Sequence, residues 1–221
     1  KESLVCIAKL KSSHGTVFHV KDVFTPDTEN HFRMDREVTI EKIGKGDNYF
    51  NSYFGLTLQR KTQIEDFEFF VPGIWYRNNL SLRRGSLASD YFYFREDRLP
   101  LPLVSAREKA SGLAIDMVHL NADPETFYGE NGVNRIVDER MQFGSLGFTE
   151  TDSHSILFVF PGIEGETTYV GRFPEQKRKG FAYRSHPVKA GVKHTYSLTF
   201  GFNQTKDFPE LVETVWKQAW N

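Results

Sequence analysis

The residues equipped to recognise or cut a ligand crowd into one stretch, 67–104. Phe67-Glu68-Phe69-Phe70-Val71-Pro72-Gly73 leads into Ile74-Trp75-Tyr76-Arg77-Asn78-Asn79. Asp90-Tyr91-Phe92-Tyr93-Phe94 leads into Arg95-Glu96-Asp97-Arg98 and then the apolar Leu99-Pro100-Leu101-Pro102-Leu103-Val104. Flat aromatic faces can stack on the apolar side of a pyranose ring. Arg, Asp, Glu and Asn can offer paired hydrogen bonds to its hydroxyls. The stretch therefore points to carbohydrate without naming a reaction.

Each knot has two readings. Trp75, Tyr76, Arg77, Asn78 and Asn79 either form a loop that stacks a sugar, or end a strand with Trp75 in the core and the asparagines in a turn. Arg95, Glu96, Asp97 and Arg98 are four charges bracketed by apolar residues, so they must pair with a ligand or with one another. In an extended segment Arg95 and Asp97 share one face, and Glu96 and Arg98 the other. Glycosidic bond hydrolysis commonly needs two carboxylates across the scissile bond. Glu96, Asp97 and Asp116 are available, but adjacent Glu96 and Asp97 point apart, and no catalytic dyad is assigned.

Other chemistries lack their signatures. The histidines are His14, His19, His31, His119, His154, His186 and His194. None shows the H-x-x-x-H spacing of a zinc helix, so no metal and no cofactor is expected. No G-x-S-x-G elbow occurs. Gly144-Ser145-Leu146-Gly147 and Gly162-Ile163-Glu164-Gly165 do not match phosphate loops. Lys177-Arg178-Lys179 reads as a solvated turn.

The elements that must position these residues are strands. Phe54, Leu56 and Leu58 alternate with polar or small residues, as do Tyr196, Leu198, Phe200 and Phe202, and Val38 and Ile40 flank Thr39. This is the period of half-buried antiparallel strands. Ile156–Phe160 reads as a strand buried on both faces. Further strands are expected at 17–20, 67–71, 91–94, 113–120, 167–171 and 181–185, with Gly- and Asn-rich turns between them. The fold class is all-β, an antiparallel sandwich with a short C-terminal helix. Asp207-Phe208-Pro209-Glu210 opens that helix, which carries Leu211, Val212, Val215, Trp216, Ala219 and Trp220 at helical spacing. The expected division is a sandwich over 1–206 and a helix over 207–221. The helix either docks on the sheet or begins a further helical domain.

Composition narrows the class. The 221 residues carry a net charge of -1, which leaves no basic footprint for nucleic acid or an anionic membrane. Aromatic residues make up 14%, with 20 phenylalanines, which favours strands and recognition surfaces. The single cysteine, Cys6, excludes an internal disulfide and is neutral on compartment. No apolar run is long enough to span a membrane.

The string 71–79, followed by Arg95-Glu96-Asp97-Arg98-Leu99 and a Pro-containing apolar strand, resembles the N-terminal β-sandwich of large bacterial glycoside-hydrolase-like proteins. In these a super-sandwich related to the galactose mutarotase fold precedes an (α/α)6 toroid. The resemblance implies that residues 207–220 start the toroid and that this chain is an accessory domain. It implies that the catalytic carboxylates lie in the helical part, and that 75–79 and 95–98 line or brace a glycan cleft. It also implies export to the periplasm or beyond. The implied partners are a glycan and a following helical domain of the same polypeptide, with no nucleic acid and no membrane. Alternatives are an autonomous carbohydrate-binding module, or an aldose-epimerase-like enzyme with His119 or His194 paired to a glutamate. Whether the chain is itself an enzyme stays open.

Overall fold

The computed structural model describes residues 2–60, 66–77, 91–119, 125–127, 143–150, 153–162 and 185–220. In chain order the strands are β1 (Leu4–Lys11), β2 (Val17–Pro26), β3 (His31–Lys42), β4 (Tyr49–Phe50), β5 (Ser52–Arg60), β6 (Phe67–Val71), β7 (Trp75–Arg77) and β8 (Tyr91–Arg95). They continue with β9 (Leu103–Glu108), β10 (Leu113–Val118), β11 (Glu125–Phe127), β12 (Ser145–Glu150), β13 (Ser153–Phe160), β14 (His186–Pro187) and β15 (Lys193–Gln204). One α-helix, α1, spans Phe208–Trp220. The expected strands at 167–171 and 181–185 lie outside the described residues, apart from Ser185.

Two antiparallel sheets face each other. The larger runs β1-β2-β3-β15-β10-β9-β6-β7, with β11 pairing further along β15. The smaller runs β5-β13-β12-β8, and β14 pairs with β4 as a separate ribbon. This is the sandwich that the alternating pattern implied. In β15 the even-numbered Tyr196, Leu198 and Phe200 enter the inter-sheet core, while Ser197 and Thr199 stay half-buried on the other side.

Aromatic rings knit the layers together. Phe148 of the small sheet stacks on Phe69 of the large one at 4.3 Å and meets Trp75 edge-on at 5.0 Å. Such pairs add about 0.5–1.5 kcal/mol each beyond the burial of their area.

The outer face of the large sheet forms a second core. Phe70, Leu103, Ala114 and Val118 lie against Phe208, Leu211, Val215 and Ala219 of α1. The helix therefore docks on the sheet through the stripe its sequence spacing marks. Its start is pinned by side chains. Asp207 Oδ1 accepts the Glu210 backbone N–H at 2.9 Å. Glu210 Oε2 accepts the Lys206 N–H at 2.6 Å. Buried Arg107 of β9 donates to the carbonyls of Thr205 and Lys206 and to Glu68.

Candidate functional site

Sequence reasoning left 75–79 as either a stacking loop or a strand end with Trp75 in the core, and the structure divides those residues. Trp75 is only 2% exposed and sits in the inter-sheet core, its Nε1 donating to the Arg77 carbonyl at 2.7 Å. It offers no open face to a sugar, which corrects the reading of Trp75 as a platform. Tyr76 points the other way, 54% exposed, leaning on Phe70 at 5.5 Å with its hydroxyl accepting the Gly73 N–H. Arg77 takes a left-handed backbone with φ 58° and lays its guanidinium 5.2 Å from the Phe208 ring centre, bracing α1. A positive φ is uncommon for a residue with a side chain. Asn78 and Asn79 lie outside the described residues.

The second knot closes on itself. Residues Glu96–Arg98 form one turn of 3-10 helix rather than continuing the extended chain. The alternating faces expected there are therefore replaced by a tight turn. Arg95 Nε donates to Asp97 Oδ1 at 2.8 Å, and Arg95 Nη2 pairs with the other carboxylate oxygen. Asp97 and Arg98 sit at the surface, while Glu96 turns inward.

Glu96 makes a buried polar contact between the two layers. It is 5% exposed and His119 is 1% exposed. Glu96 Oε1 lies 2.5 Å from His119 Nδ1, and Oε2 accepts the Gly144 N–H at 2.7 Å. Glu96 follows β8 of the small sheet, and His119 follows β10 of the large one. The pair therefore bridges the layers. The His119 ring lies 4.7 Å from that of Phe158, and its Nε2 is buried without a hydrogen-bond partner. Gly144 is needed for the close approach, because a Cβ there would lie 2.3 Å from the Phe158 ring and 3.0 Å from the Val159 carbonyl. Chemically, a carboxylate on an imidazole is an oriented base, the arrangement in which one group sets the other's tautomer.

The third carboxylate considered, Asp116, occupies the opposite face of the large sheet. Ile115 and Met117 point into the sandwich, and Asp116 points towards α1. Glu96 and Asp116 therefore cannot flank one glycosidic bond. Asp116 Oδ1 accepts from Asn203 Nδ2 at 2.7 Å, and Asn203 Oδ1 accepts from Gln218 Nε2 of α1 at 3.1 Å. His31 Nε2 lies 3.4 Å from Asp116 Oδ2, off the line of a well-formed hydrogen bond. Asp116 nonetheless raises the His31 pKa above the ordinary range, against the opposing effect of burial. A Cβ on Gly201 would fall 2.1 Å from the His31 ring, so glycine makes the slot. Sequence reasoning missed this network because its members are scattered along the chain.

Two more buried histidines meet at the far end of the core, their rings tilted by 45°. His186 and His194 lie 4.3 Å apart, and both pack on Phe160. Burial lowers their pKa values to about 2 and about 3. Nearby, Arg36 pairs with Asp22 through two bonds of 2.6 Å and donates to Tyr196. Among the described residues no group of three His, Cys, Asp or Glu is arranged to hold a metal ion. No described helix is long and apolar enough to cross a membrane. An open groove of about 370 Å³ lies along β1, β2, β3 and β15 of the large sheet. It is lined by Glu2, Leu4, Phe24, Pro26, Phe32, Phe200 and Phe202.

No protein-family model matches the chain. No curated protein matches it either. Among solved structures it is similar to the Slr1438 protein of Synechocystis sp. PCC 6803, at 10% identity and a TM-score of 0.40 over 92% of this chain and 62% of that one. It is also similar to an Escherichia coli K12 protein provisionally described as an aldose 1-epimerase, at 10% identity and a TM-score of 0.39 over 92% of this chain and 66% of that one. The chain thus spans less than two thirds of each. Likenesses this distant carry neither fold nor activity across, so the sandwich stands on its own strand pairing.

Proposed function

We propose that this chain is an accessory β-sandwich of a carbohydrate-active, glycoside-hydrolase-like protein, bracing a glycan cleft rather than carrying out the chemistry. The observation that carries the accessory role is the commitment of the acid–base groups to the scaffold. Glu96 and His119 are bonded to each other between the sheets, Arg95 is closed on Asp97, and Asp116 is turned to the opposite face. The glycan rests on the aromatic–charged character of 67–104, of which Tyr76, Arg77, Asp97 and Arg98 are at the surface. The test is to assay the purified chain for release of reducing ends from a glycan panel, alone and joined to the helical domain that this reading places after it. The expected result is turnover only in the joined form. Turnover by the chain alone overturns the reading.

A second reading, an aldose-epimerase-like enzyme, draws support from the His119–Glu96 contact. That chemistry needs an acid and a base that both reach the sugar, whereas these two groups occupy one another. Polarimetry of freshly dissolved α-galactose separates the readings. Accelerated mutarotation lost in His119→Ala favours the enzyme, and an unaccelerated rate favours the accessory domain.

A further inference from the structure

Strand β1 is the outermost strand of the large sheet, and all eight of its residues are exposed. Leu4, Val5, Ile7 and Leu10 keep 64%, 50%, 63% and 55% of their surface open. Among the described residues only β2 pairs its backbone with it, and Lys9 reaches across to Glu41 of β3. A long, apolar edge with free backbone groups is a template for another strand. The register Leu4↔Phe24 and Leu10↔Phe18 puts Leu4, Cys6, Ala8 and Leu10 on the sandwich side. Val5, Ile7, Lys9 and Lys11 lie on the other. Leu4 is also a lip of the apolar groove beside Phe24.

We propose that β1 pairs antiparallel with β1 of a second copy of this chain, about a two-fold axis through Ile7. Charge decides the direction. Lys11 lies at the C-terminal end, Lys9 is held by Glu41 of β3 at 2.8 Å, and Lys1 and Glu2 offset one another at the other end. Antiparallel pairing therefore brings each copy's Lys11 towards the other's charge-balanced end, whereas parallel pairing lays Lys11 beside Lys11. Symmetry decides which residues meet. An axis perpendicular to the sheet keeps the sandwich sides of both copies together, so even positions meet even and odd meet odd.

Two registers bring the strand centres together. With the axis at Ile7, Leu4 faces the second copy's Leu10, Cys6 faces its Ala8, and Val5 faces the aliphatic stem of its Lys9. Each Leu10 then covers the groove beside the other copy's Leu4. With the axis at Cys6, Leu10 instead faces the Glu2 carboxylate and Leu4 faces only an alanine. The first register pairs apolar with apolar along the strand and seals both grooves.

Sedimentation equilibrium of the intact chain tests the proposal, with twice the chain mass expected. Ile7→Lys places two ammonium groups on the axis and should give monomers with an unchanged circular dichroism spectrum and an unfolding midpoint that no longer rises with protein concentration. Ala8→Cys should give a covalent dimer on mild oxidation, the introduced thiol meeting Cys6 of the second copy. A monomer at all concentrations overturns the proposal. So does a dimer that survives Ile7→Lys but is dissolved by Trp220→Ala on α1. Oxidative dimerisation of the unsubstituted chain through Cys6 overturns the register.

Discussion

A tryptophan serves a ring-shaped ligand only when one of its faces is open, and Trp75 has Phe69 and Phe148 against it. Trp75→Ala should therefore cost stability, about 3–5 kcal/mol, rather than remove a discrete binding site. Urea unfolding measures it. Glu96→Gln keeps the shape of the inter-sheet bridge but changes its donor–acceptor pattern. His119→Ala removes it and leaves the carboxylate buried without its imidazole. Expected losses are about 1–3 kcal/mol for the first and about 3–5 kcal/mol for the second, read from the same urea midpoints. At this scale the sequence reveals neighbours and conceals distant partners. Arg95 and Asp97, two positions apart, do pair, although a 3-10 turn rather than a strand brings them together. Glu96 and His119 are 23 positions apart and come from different sheets, so spacing held no sign of their contact. A buried glutamate inside a charged run looks the same in sequence as a solvated one.

Among the elements, α1 shows how local signals and packing combine. Its N-terminal cap and apolar stripe are written into 207–220, but only the fold supplies Arg107, which clamps the two carbonyls just before the helix. Asp207→Ala should cost about 1 kcal/mol, the usual loss for an N-cap. Leu211→Ala should cost about 2–5 kcal/mol, because the leucine is fully buried against the sheet and leaves a cavity. Thermal or urea unfolding followed by Trp216 fluorescence reads both, since that ring lies 6.4 Å from Phe70 at the helix–sheet contact. Strand legibility followed the same logic. β15 and β5 alternate and were visible. β1 is apolar on both faces over Leu4–Ala8 and β9 is buried on both faces, so neither shows a sustained period of two. β4 and β14 are two residues each, too short to show any period.

For the molecule as a whole, the buried histidines set opposing dependences on pH. His186 and His194 have folded pKa values depressed to about 2 and about 3, below the 6.5 of an unperturbed imidazole. Between those values and 6.5 the unfolded chain binds protons that the folded chain refuses, so stability falls as pH drops. The slope approaches about 1.4 kcal/mol per pH unit for each histidine, or about 2.7 for the pair. His31 works in the other direction. Asp116 raises its folded pKa, so the stabilisation is fully present below pH 6.5 and is lost as pH climbs through the raised value. The two effects meet near pH 6.5, and the expected profile is a maximum there with one limb on each side. Carboxylates do not produce the upper part of the acid limb, because their ordinary pKa values near 4 confine them to lower pH. Urea unfolding from pH 4.5 to 8.5 tests the profile. His31→Gln should flatten the alkaline limb and leave the acid one. His186→Phe, which keeps a ring stacked on Phe160, should halve the acid slope and leave the alkaline limb. An acid slope unchanged in His186→Phe would show that the far end of the core does not control it.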